Sequence, residues 1–144
     1  MTPTSLAQQF ADQVKMRAYK DKYIDQKEEQ DILQMAINAG ISFDNARSAL
    51  TRICEDNQYV LESVVLDKVK ELLETFMGND GKLDEKEFKD AVSVCVKSCL
   101  GRKNELECKR MVIQLIESGA MAKKVKTGWF SNWYAAAKKD VGLA

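Results

Sequence analysis

Asp80, Asp84 and Glu87 place three carboxylates within eight residues, in the stretch GNDGKLDEKEF (78–88). Carboxylate oxygens at such spacing suit a hard divalent cation such as Ca²⁺, which takes six to eight oxygen ligands. The same residues also suit a helix start. Asp84 is a good N-cap, and Glu87 three residues on can return a hydrogen bond to the cap's backbone N–H. Asp25 and Glu28 repeat that pair earlier in the chain. Capping explains both copies without an ion.

A second group is sulfur. Cys95 and Cys99 are one helical turn apart, with Cys108 beyond a helix–helix turn and Cys54 far off in sequence. A zinc site needs a fourth ligand, and the chain has no histidine. Cys95 and Cys99 continue an apolar stripe from Phe88, so they read as core residues, small hydrophobes in effect.

The third group is the tail. Trp129, Phe130, Trp133 and Tyr134 are flanked by Lys123, Lys124, Lys126, Lys138 and Lys139. The rings can dock a last helix onto the fold, anchor another protein, or lie in an anionic membrane surface or against single-stranded bases. On a helix starting near Thr127, Trp129 and Trp133 form one row and Phe130 and Tyr134 a second. One row is expected to dock internally and the other to remain available.

Enzymatic signals are poor. Without histidine there is no ordinary general base near neutral pH and no His-based triad or zincin motif. No phosphate-cradling glycine loop or nucleophile elbow is present.

Helices must position these groups. The chain has 144 residues, 45% hydrophobic and 31% charged, with one proline, a composition that favours helix. Periodicity predicts helices over about Ser5–Lys22, from Asp25 to a stop at Gly40, from a Ser42 cap onward, over about Val60–Met77, over Asp84–Leu100, and from an Asn104 cap to Gly119. A short aromatic helix is expected from about Thr127. No linker splits the chain, so the reading is one all-α domain over 1–144, a compact bundle of six or seven helices. Residues 120–144 form its basic aromatic C-terminal segment. Residues 21–28 and 80–87 echo each other, and 57–62 is a fainter third copy.

The pattern around Gly81, Leu83 and Glu87 resembles the end of an EF-hand loop. That resemblance implies a sharp turn at Gly81, a small β-bridge at Leu83, a backbone ligand at Lys82 and side-chain ligands at Asp80, Asp84 and Glu87. Phe76 and Gly78, at the first and third ligand positions, carry no side-chain oxygen. The same stretch is similar to the tellurite-resistance protein B family, which implies an all-helical fold with Asp-Gly turns and acidic metal-binding residues.

Charge is uneven although the net is zero: residues 41–108 hold 14 acidic and 10 basic side chains, and residues 109–144 hold 7 basic and 2 acidic. Such asymmetry can steer a partner. No secretory signal or membrane span is visible, so thiols in a reducing cytoplasm are expected. The sequence thus predicts a non-enzymatic adaptor, regulatory or assembly subunit that binds another protein or a further copy of itself, with no cofactor. The alternative is a Ca²⁺-responsive regulator. A further alternative is nucleic-acid or anionic-membrane binding through the basic aromatic C-terminus.

Overall fold

In the computed structural model, residues 6–119, 125 and 132–143 are described, with backbone alone at 6, 79 and 80. Among them are seven α-helices and a two-stranded sheet of two residues per strand. The protein is all-α. No described helix is long and apolar enough to cross a membrane. The chain, which reads as one domain from its lack of linkers, divides into two compact units, Met1–Ser63 and Val64–Ala144.

The first unit holds α1 (Leu6–Arg17), β1 (Tyr23–Ile24), α2 (Gln26–Asn38), α3 (Phe43–Asn57) and β2 (Val60–Leu61). Helix α1 stops five residues before the expected Lys22, because the chain must turn into β1. Lys22 sits at φ 57, and its carbonyl accepts the Val60 N–H at 2.8 Å. The strands pair in parallel, Tyr23 with Val60 and Ile24 with Leu61. Asp25 then caps α2 in a full capping box with Glu28. Gly40 closes α2 in the left-handed region at φ 92; its N–H reaches the Ile37 carbonyl and the Ile41 N–H reaches that of Ala36. This double closure leaves Ile41 packed on the core. Ser42 caps α3 as expected. Phe10, Val14, Ile24, Ile32, Leu50, Cys54 and Leu61 build the interior.

The second unit follows the same order. Helix α4 (Glu62–Asp80) leads to Leu83, then α5 (Glu85–Ser98) and α6 (Glu105–Glu117), with Val125 in a parallel bridge to Leu83, and finally α7 (Trp133–Asp140). Asp84–Glu87 and Asn104–Glu107 both form capping boxes. Counted from the caps, Ile24, Ile32 and Leu33 of the first unit correspond to Leu83, Ala91 and Val92 of the second, all buried. Residues 57–62 repeat this helix entry with Leu61 where the cap stands: Gln58 shares the left-handed φ of 57 with Lys22, and Glu62 opens α4. The same residues end α3 and form β2, the partner of the first copy.

Two boundaries differ from expectation. Helix α3 runs on through Asn57, so the break lies at 58–61, with Gln58 left-handed at φ 57. Helix α4 runs through Gly78 to Asp80, and it is Gly81, at φ 74, that turns the chain.

One buried acid went unnoticed in the sequence. Glu29 on α2 is 5% exposed; its Oε1 accepts the Ser63 hydroxyl at 3.0 Å and lies 3.6 Å from the Arg47 guanidinium. Glu62 accepts a short hydrogen bond from the Tyr23 hydroxyl. These contacts lie within the first unit and tie its last residues, Glu62 and Ser63, to α2, α3 and β1. Glu29→Ala is expected to lower stability by about 2 kcal/mol, since a hydrogen bond to a charged group is lost along with the ion pair. Urea denaturation checks this; a loss inside the range of a neutral surface change would show the cluster to be incidental.

Candidate functional site

At the acidic turn the structure shows a cap. The Glu87 N–H donates to Asp84 Oδ1 at 2.8 Å, and the Asp84 N–H donates to Glu87 Oε1 at 3.1 Å. Phe76 and Gly78 lie inside α4, so the front of a twelve-residue calcium loop is helical. Neither of those two residues carries a side-chain oxygen. The side chain of Asp80 lies outside the described residues. Leu83 is fully buried and bridged to Val125, which keeps this turn tied to the end of the unit.

The tail builds a more open feature. Trp129, Phe130, Lys123, Lys124 and Lys126 lie outside the described residues. The helix start expected near Thr127 also lies outside them; helix α7 begins at Trp133, with Asn132 before it non-helical at φ −102, ψ 57. Trp133 therefore opens α7. Tyr134 is 8% exposed and its hydroxyl donates to Glu117 Oε1 at 3.0 Å. Lys138 Nζ lies 2.9 Å from the same Glu117 oxygen and 5.5 Å from the centre of the Tyr134 ring. Lys109 Nζ donates to Asp140 Oδ2 at 3.1 Å. Tyr134 and two ion pairs thus fasten α7 to α6.

Trp133 is only half-buried. Its ring lies 5.2 Å from that of Phe88 and meets Tyr134 edge-on at 5.6 Å. It forms one wall of a groove of about 460 Å³ between α5, α6 and α7. Phe88, Val92, Val96, Ala136 and Ala137 line the groove with Trp133, and Glu85, Lys89, Glu105, Lys109 and Asp140 bring charge to it. Of the lining residues, Phe88 is expected in an apolar stripe from the sequence, whereas Ser93 and Val96 are not among the expected site residues. The available signal was Phe88–Val92–Val96, an apolar ladder at i, i+4 spacing.

Electrostatics follow from these contacts. Lys138 and then Tyr134 hold the Glu117 carboxyl below the usual range, so its contribution is present above the ordinary value and fades as pH falls. Burial, and then the hydrogen bond to Glu117, pushes the Tyr134 phenol up. A raised phenol favours the neutral ring in the folded state. Its contribution is complete below about pH 10, the unfolded value, and is lost as pH rises through the folded one. Burial, with Glu29 and Glu55 nearby, likewise pushes the Cys54 thiol up to about 12.

Two measurements test this account. Asp84→Ala should cost about 1 kcal/mol, by the same amount with and without millimolar Ca²⁺; a calcium-dependent rise in melting temperature lost in Glu87→Gln would replace the cap with an ion site. In melts taken from pH 8 to pH 11, Tyr134→Phe should lose less stability than the wild type; parallel curves would show that the phenol does not titrate against folding. No protein-family model, no curated protein and no solved structure matches the chain, so the groove between α5, α6 and α7 must speak through its own geometry.

Proposed function

We propose that this protein is a non-enzymatic interaction subunit that receives an apolar segment of another protein in the groove between α5, α6 and α7. The observation that carries the reading is Trp133, a large ring left half-buried over Phe88 at the wall of an apolar groove. Tryptophan in such a setting is the commonest kind of binding anchor. Ala136 and Ala137 are small, which lets a partner backbone come close.

The charges support a peptide occupant over a small polar one. Lys89 lies 3.7 Å from Glu85, and Lys109 lies 3.1 Å from Asp140, so these groups answer each other across the rim rather than converge on a ligand. An amphipathic helix with apolar residues at i and i+4 fits that pattern of apolar floor and mixed polar rim. Buried thiols pushed upward in pKa are poor nucleophiles, and the absence of histidine from the sequence points the same way.

Ser93 is exposed at the groove, so Ser93→Trp fills it without disturbing the core. In affinity isolation with the full chain, a partner held by the wild type should be weakened about tenfold, equal to 1.4 kcal/mol, by Ser93→Trp and by Trp133→Ala. Tyr19→Ala, on an exposed residue of the first unit, should leave it unchanged. Partners retained equally by all three variants would remove the groove from the function.

A further inference from the structure

Three of the four cysteines converge. Cys95 stands on α5, Cys99 caps its C-terminal end and Cys108 lies one turn into α6. Their sulfurs all lie within 4.8 Å of one another, and all three residues are fully buried. None of the cysteines is in a disulfide.

The first unit shows what these positions need for packing. Counted from Asp25 and Asp84, Cys95 and Cys99 take the places of Ala36 and Gly40; counted from Ser42 and Asn104, Cys108 takes the place of Ala46. The same helix pair therefore closes with no sulfur at these three positions in one copy. Three thiols meeting in the other copy exceed what packing asks.

We infer that Cys95, Cys99 and Cys108 form a tris-thiolate site for a soft, three-coordinate trivalent ion of the arsenite class. Thiolates select soft ions over hard ones, which sets aside calcium and magnesium. Charge then decides among the soft ions. Three thiolates leave Zn²⁺ with one net negative charge and a vacant fourth position, and leave Cu⁺ with two. A net charge in a dry core is costly.

Arsenous acid avoids that cost. Three S–H bonds and three As–O bonds break, three As–S bonds form, and each thiol proton leaves with a hydroxide as water. No electron changes hands, and a neutral acid plus neutral thiols give a neutral complex. With metal–sulfur bonds near the zinc value of about 2.3 Å, sulfurs sharing one ion stand roughly 3.5–4 Å apart. Sulfurs that all lie within 4.8 Å of one another are close to that spacing. The route in is the turn above Cys99, where Leu100 is left-handed at φ 51 and 54% exposed and the Arg102 N–H closes onto the Cys99 carbonyl.

The test uses the reduced full-length chain and sodium arsenite. Native mass spectrometry should show one arsenic bound with loss of three hydrogens, and the melting temperature should rise, as it does for a ligand that prefers the native state. Cys95→Ala, Cys99→Ala and Cys108→Ala should each lose the adduct, and alanine is already tolerated at two of the matching positions. Cys54→Ala should keep it. Absence of an adduct on the folded chain, an unchanged or lower melting temperature, an adduct that survives Cys108→Ala, or tighter capture of Zn²⁺ would each overturn the assignment.

Discussion

A pairing of one or two backbone residues closes each unit, and the helices are arranged around it. Residues 23 and 60 meet in the first unit, and residues 83 and 125 in the second. Because the pairing is parallel, the chain must leave, run out and back through a helical hairpin, and return in the same direction. The pairing in the first unit is flanked by strain. Lys22 and Gln58 both occupy the left-handed region at φ 57, at about 1 kcal/mol each for residues with a Cβ. Burial of Ile24 and Leu61, at 0% and 4% exposure, outweighs it at roughly 25 cal/mol per Å² of apolar surface removed from water.

In the second unit the same frame carries an additional helix, α7, fastened to α6 through Tyr134, Lys138 and Asp140, and the groove lies between it, α5 and α6. Glu117 receives both the Tyr134 hydroxyl and the Lys138 ammonium. With Tyr134 drawn inward, its neighbour Trp133 is turned toward α5 and left partly in water. Docking and display are thus two results of one helix setting. They fall on consecutive residues.

The helix starts were legible because capping chemistry is local. Asp25 with Glu28, Ser42, Asp84 with Glu87, and Asn104 with Glu107 can be read within four residues, and each forms the bonds its sequence implies. The stop at Gly40 is equally local. What escaped was whatever depends on residues distant in sequence. The parallel pairing leaves no short-range mark, so the end of α1 and the break before α4 were misplaced. Gly78 looks like a helix breaker, yet Gly81 makes the turn. Glu29 reads as solvent-facing until Ser63 and Arg47 arrive beside it. The cysteines were legible as a buried stripe, but their convergence needs α5 and α6 packed together. Trp133 and Tyr134 could be singled out as contact residues, though which of them docks was settled by Glu117, on another helix.

The closing pair of the first unit also has a consequence in time. Every described residue of its buried cluster lies between Phe10 and Leu61, and its strand pair joins residues 37 positions apart along the chain, 23 with 60 and 24 with 61. Chains emerge from the ribosome N-terminus first, and domains generally fold as units in that order. Short contact separation favours fast closure. The first unit therefore has all its own contacts available while Cys95, Cys99 and Cys108 are still unmade. The thiols enter a cell attached to a chain whose first half has already had the chance to leave the unfolded state.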